Sequence, residues 1–199
     1  CETVSEVGRR DGKIDGGIGG KGDCKRTMGK ALEEARYLLD RGYPKDSAVG
    51  FVSNHHRLAE KERFILMRVV VRSDLAWARR SKLLDLEDLR GQSISIDGYN
   101  VIITTESVIG GYPVYLCDDG LLRDSRGIFR GFKASPLTAI ALNWILDLLA
   151  SAGPARTEVL LDQQMSRSGE LAEMVRRMMA ERQLCGVAKT ARNVDHLLK

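Results

Sequence analysis

The sequence predicts an α/β protein in which a small N-terminal helical bundle is followed by a mostly parallel, three-layer domain. Three observations carry this. Apolar residues recur at helical spacing from Leu32 to Val71. Beyond Gly91 the rhythm becomes strand–helix–strand, which implies parallel strands with helices on both faces. The 199 residues are 43% hydrophobic and 29% charged, enough for two cores and within the ordinary globular range.

Residues 1–26 contain seven glycines and almost no apolar periodicity, so they are expected to be disordered. The chain opens on Cys1 rather than Met and reads as a fragment. Residues 27–90 form the helical region. Leu32, Ala35, Leu38 and Leu39 mark a first helix ending at Gly42. Pro44 suits the first turn of a second, which runs through Ala48, Val49, Phe51 and Val52 toward His55. Phe64, Ile65, Met67, Arg68 and Val71 mark a third, and Trp77 and the basic run Arg79–Lys82 follow. A generic bundle is the reading; a helix-turn-helix is the alternative, without a residue signature here. Leu83 to Gly91 reads as a linker.

Residues 91–199 form the α/β region. Ser93–Asp97 is a first strand, Val101–Ile109 a helix and Pro113–Cys117 a second strand. Ser135 is an N-cap with Pro136 behind it, opening a helix whose apolar stripe is Leu137, Ile140, Ala141, Trp144, Ile145, Leu148 and Leu149. Gly153-Pro154 ends that helix. Glu158–Leu161 is a third strand, Gly169–Gln183 a helix and Gly186–Lys189 a fourth strand. A doubly wound sheet wants one more strand–helix unit, so the domain is expected to be cut short.

Carboxylates fall at the strand ends. Asp97 follows Ile94-Ser95-Ile96, Asp118 and Asp119 follow the Val114–Cys117 strand, and Asp162 follows Val159-Leu160-Leu161. In open α/β sheets that carboxyl edge is where ligands bind. Clustered carboxylates repel unless a cation offsets them, and Mg²⁺ or Mn²⁺ prefers such oxygen ligands. The metal ligands expected are therefore Asp97, Asp118, Asp119 and Asp162, with one of the Asp118–Asp119 pair open to a turn role beside Gly120. The plain alternative, aspartate as turn former or helix cap, applies to each position alone.

In Asp97-Gly98-Tyr99-Asn100 the glycine permits close backbone passage, and the Asn100 amide either supports the site or caps the next helix. Arg123, Arg126, Arg130 and Lys133 form a basic loop suited to a phosphate backbone, or simply a solvated loop. Ser166 and its neighbours open a helix whose amides can bind phosphate or be capped in the ordinary way.

Several classes are set aside. Cys1, Cys24, Cys117 and Cys185 form no close pair, which argues against a cysteine-based zinc site; Cys117 and Cys185 read as core thiols. His55, His56 and His196 stand in no Ser-His-Asp or Cys-His order. No G-x-G-x-x-G or P-loop occurs. Net charge of +4 permits a nucleic-acid partner without arguing for one. No apolar run of ~18 residues is present, and no signal peptide is read, so a soluble, cytoplasmic protein without membrane contact is expected. Oligomeric state is left open.

The stretch Ile96-Asp97-Gly98-Tyr99-Asn100-Val101 resembles the first motif of NYN and PIN-like ribonucleases. The wider chain, including Arg36–Pro44 and Asp97–Gly169, resembles an uncharacterised, mainly archaeal family known as domain of unknown function 434. The resemblance implies a PIN-like (Rossmann-like) fold and Mg²⁺- or Mn²⁺-dependent cleavage of single-stranded RNA. It implies Asp97 and Asn100 as catalytic residues and Asp162 as a second acidic ligand, with Asp118 and Asp119 matching less closely; Arg123, Arg126, Arg130, Lys133 and Ser166 are the substrate contacts expected from the residues themselves. It also implies a further acidic residue near a late strand, for which Asp195 is read as a poor match. Two other functions are carried: a non-catalytic RNA- or partner-binding protein, and a phosphohydrolase with an Asp97 nucleophile. The last ranks lowest because Tyr99 stands where its second aspartate is expected.

Overall fold

The computed structural model describes residues 21–127 and 131–198. It is a mixed α/β structure in two compact units, one of residues 1–83 and 113–125, the other of residues 84–112 and 126–199. Of the expected disordered segment, residues 1–20 lie outside the described residues.

The first unit holds α1 (Lys21–Asp40), α2 (Lys45–His55), α3 (Glu60–Val69) and α4 (Ser73–Arg80). Ala31, Leu32, Ala35 and Leu39 of α1 meet Ala48, Val49 and Val52 of α2 and Leu66 and Val69 of α3 in one apolar core. The small alanines of α1 let the helices approach closely, which is why three short helices suffice for a core. Phe51, expected among the apolar positions of α2, is exposed. α4 was not expected as a helix. Its start is secured from a distance: Asp40 accepts hydrogen bonds from the Ser73 backbone N–H at 2.8 Å and the Ser73 hydroxyl at 2.7 Å.

The same unit contains a hairpin, β2 (Val114–Leu116) and β3 (Leu122–Asp124), paired antiparallel with Tyr115 opposite Arg123. This corrects the sequence expectation of a parallel strand at Pro113–Cys117. Two anchors hold the hairpin tip to the helices: Cys117 is buried in their core, and the Asp118 backbone N–H donates to the Val69 carbonyl at 3.0 Å.

The second unit carries a parallel three-stranded sheet in the order β1 (Ser93–Asp97), β4 (Arg156–Asp162), β5 (Gly186–Ala191). Around it lie α5 (Gly98–Ile109), α6 (Pro136–Ala152), α7 (Ser168–Glu181) and the short α8 (Val194–Leu197). β4 is central, and its run Val159-Leu160-Leu161 is buried throughout, as a strand covered on both faces should be. α6 meets the core through Ala141, Leu142, Leu146 and Leu149, whereas Ile140, Trp144 and Leu148 of the expected stripe are exposed. Cys185, expected in the core, is exposed. Gly186 lets β5 approach β4: a Cβ there would sit 1.8 Å from the Thr157 carbonyl oxygen. No helix among the described residues is long and apolar enough to cross a membrane.

Candidate functional site

The carboxyl edge of the parallel sheet is built by three strands. Asp97 ends β1, Asp162 ends β4, and Asp195 lies in the first turn of α8, just past β5. β1 and β4 pair with Asp97 opposite Leu160, so Asp162 is two residues further along β4 and projects from the same face as Asp97. Strand spacing and rise then put the two Cα atoms about 8 Å apart. α8 packs against β4, bringing Asp195 to the same end.

Asp97 is held firmly. It is the N-cap of α5: Oδ1 accepts from the Asn100 backbone N–H at 3.0 Å and Oδ2 from the Asn100 side-chain amide at 2.7 Å. Asn100 thus supports the carboxylate and does not itself cap the helix. Gly98 makes the close turn: a Cβ there would lie 2.7 Å from Leu161 Cδ2 and 3.1 Å from the Leu160 carbonyl oxygen. Burial raises the Asp97 carboxyl above its ordinary range, and the negative charges of Asp195 and Asp162 raise it further, against the lowering effect of the Asn100 donors. The packing of α8 on β4 brings Asp195 to this edge, although sequence reasoning set it aside. The signal available was its position one short turn beyond the last strand.

Asp162 also serves locally, its Oδ1 accepting from the Gln164 backbone N–H at 2.9 Å. Among the described residues no Lys, Arg or His nitrogen comes within ion-pair distance of Asp97, Asp162 or Asp195. The donor set, all carboxylate with an amide beside it, fits a hard divalent ion such as Mg²⁺ or Mn²⁺. The three are not drawn within 4.8 Å of one another, so closing them on one ion requires side-chain rotation.

Asp118 and Asp119 behave oppositely. They belong to the first unit, and their charges are already neutralised. Asp118 accepts from Arg36 Nη2 at 2.6 Å, from Arg36 Nε at 2.9 Å and from the Val71 backbone N–H at 3.1 Å. Asp119, wholly buried, accepts from both Arg123 terminal nitrogens at 2.7 Å and from Arg79 at 2.8 Å. Burial pushes its carboxyl up, but the Arg123 and Arg79 hydrogen bonds outweigh this and hold it at about 2. The pair expected as metal ligands is thus engaged by arginines.

The expected substrate contacts divide in the same way. Arg123 is occupied by Asp119. Arg126 donates to the Ser107 hydroxyl at 2.9 Å, the Ile103 carbonyl at 3.0 Å and Glu106 at 3.3 Å, within a buried network that Thr138 completes at 2.6 Å. Both are structural here rather than free for phosphate. Arg130 lies outside the described residues. Lys133 and Ser166 instead line one cleft of about 580 Å³ with Tyr99, Phe132, Arg167 and Leu171. The Tyr99 ring meets Phe132 edge-on at 5.4 Å, and burial with the charge of Asp162 pushes its hydroxyl up to about 12. Tyr99 thus belongs both to the cleft and to the electrostatic surroundings of the acidic edge.

The comparisons with known proteins bear on this unit first. Residues 86–199 match a domain of unknown function, DUF5616, which covers more than half of the chain. The chain belongs to that family. Ahead of the DUF5616 region, residues 27–82 match a protein of unknown function, DUF434. An uncharacterised protein of the archaeon Methanocaldococcus jannaschii is 34% identical over 173 residues, 87% of this chain and 83% of the relative. No solved structure matches. The DUF434 match ends and the DUF5616 match begins on either side of Leu83–Leu84, where the chain passes from the first unit to the second. The whole acidic edge lies in the DUF5616 region, as does the hairpin that packs with the helical unit.

Proposed function

We propose that the chain is a metal-dependent endoribonuclease whose second unit is a PIN-like domain. One observation carries the reading. Three carboxylates, from the ends of β1 and β4 and from α8 just past β5, gather at one sheet edge with no cationic side chain among the described residues within ion-pair distance, while Asp118 and Asp119 are paired with arginines. Asp97, Asp162 and Asp195 would hold Mg²⁺ or Mn²⁺, and Asn100 keeps the Asp97 oxygens aimed. When bound, such an ion neutralises phosphodiester charge and acidifies an attacking water.

The chain's own residues would do the rest. Asp97 enters the site pre-oriented by two amide donors, so little rotational freedom is lost on binding. Lys133 and Arg167 place positive charge along the adjoining cleft, where a single-stranded RNA backbone can lie.

The test is cleavage of labelled single-stranded RNA with Mn²⁺, with EDTA and with Asp97→Asn. Cleavage that needs Mn²⁺ and vanishes in the variant supports the assignment; equal cleavage by variant and parent rejects it. A second reading, a non-catalytic RNA- or partner-binding protein, is favoured by the open spacing of the three carboxylates. It predicts RNA binding that falls with salt and does not depend on divalent metal.

A further inference from the structure

Outside the acidic edge, the helical unit brings together residues that no strand-end pattern would join. We propose that Glu34, His55 and His56 form a second metal site, one for a first-row divalent cation of the imidazole-preferring kind such as Zn²⁺. Each residue offers one ligand atom, and the three atoms lie within 4.8 Å of one another, the only such set among the described residues. In a tetrahedral zinc site neighbouring ligand atoms stand about 3.4 Å apart. Closing the set therefore takes small side-chain rotations and no backbone movement.

The backbone positions are set by packing. Glu34 lies on α1 between Ala31 and Ala35, both wholly buried in the core shared with α2. His55 is the last residue of α2 and His56 its C-cap, with the His56 backbone N–H donating to the Val52 carbonyl at 3.0 Å. The His56 ring is nearly covered at 11% exposure and meets Glu34 Oε2 through Nε2 at 2.8 Å, while the Glu34 side chain is 46% exposed. The two imidazole rings meet edge-on, 4.9 Å between centroids. The site thus has a buried side that orients ligands and an open side that leaves room for water.

The donor set selects the ion. Two imidazole nitrogens and one carboxylate suit Zn²⁺ and its neighbours and are poorly matched to Mg²⁺, which prefers oxygen. The C-terminal end of α2, the negative end of its helix dipole, favours positive charge at this point. Arg63, the nearby cation of α3, does not compete, because it is engaged by the Leu58 carbonyl and Asn54 Oδ1, each at 2.8 Å. Binding uses neutral imidazoles: Nε2 of His56 exchanges its contact with Glu34 for the metal, and its ring proton resides on Nδ1 or leaves to solvent.

Calorimetric titration of the full chain with ZnCl₂ decides the matter, with Co²⁺ absorbance as an independent reading of the ligand set. The parent is expected to bind Zn²⁺ at a site that excess Mg²⁺ does not displace. His55→Ala, an exposed position whose loss leaves the fold intact by circular dichroism, should weaken that site at least ~tenfold and change the Co²⁺ spectrum. Glu34→Gln should do the same, and Asp97→Asn should leave it untouched. No Zn²⁺ uptake by the parent, or the same affinity and spectrum in His55→Ala, overturns the proposal.

Discussion

Asn100 binds both oxygens of Asp97, its backbone N–H reaching Oδ1 at 3.0 Å and its side-chain amide reaching Oδ2 at 2.7 Å. A single residue therefore fixes the plane of the carboxylate that burial and two neighbouring aspartates would otherwise drive toward protonation. Replacing it by alanine removes one donor and keeps the backbone one. Asn100→Ala is expected to fold, to retain α5, and to lose Mn²⁺ affinity by about 10- to 100-fold, the usual cost of an outer-shell partner. Titration of Mn²⁺ against parent and variant measures it.

Asp97 contributes to stability with the opposite sign to a paired carboxylate. Its folded-state value is raised, so the folded form holds its proton to higher pH than the unfolded chain does. The resulting penalty is absent at pH below the ordinary carboxylate range and complete above the raised value. Asp97→Asn, which keeps an N-cap of similar quality, should therefore raise the melting temperature at pH 7 and leave it unchanged at pH 3. A melting temperature that falls at pH 7 would contradict the electrostatic description of the site.

Asp119 is the counter-case. Its carboxyl is held at about 2, so the stability it lends is present above the ordinary carboxylate range and is lost as pH falls from there through about 2. Removing it leaves the partly exposed Arg123 and Arg79 guanidiniums without the buried carboxylate they share. Asp119→Ala should cost ~3 kcal/mol in urea denaturation at pH 7. Per folded molecule, Mn²⁺ affinity should not change, because this residue is placed in the helical unit's ion pairs.

Lys133 and Arg167 share the cleft beside Tyr99. If each meets one phosphate of a single strand, the double substitution to alanine lowers the slope of log affinity against log salt by about 1.4. Fluorescence anisotropy with a labelled oligonucleotide across a salt series reads that slope directly. The substitution should weaken binding without sequence preference.

Elements with strong local signals were legible in the sequence. β1 was read at its observed limits, and α6 was marked by Ser135-Pro136 at its start and Gly153 at its end. What escaped were features fixed by residues far apart in the chain. α4 is capped by Asp40, 33 residues before Ser73. The Pro113–Cys117 segment has the apolar pattern of a sheet strand, yet its tip is claimed by Arg36 and by the Val69 carbonyl, so it folds as a hairpin with the helices. For the same reason Asp97 and Asp162 end strands of the parallel sheet, whereas at Asp118 and Asp119 distant arginines supply the counter-charge. Asp195 was passed over because α8 is one turn long and carries no periodicity.

The most direct measurement is the location of Mn²⁺ by anomalous scattering in crystals of the full chain. The account predicts a peak at the carboxyl edge of the parallel sheet, bounded by Asp97, Asp162 and Asp195, and lost in Asp97→Asn. Density for the ion beside Asp118 and Asp119, or an edge that stays empty at saturating Mn²⁺, would contradict it.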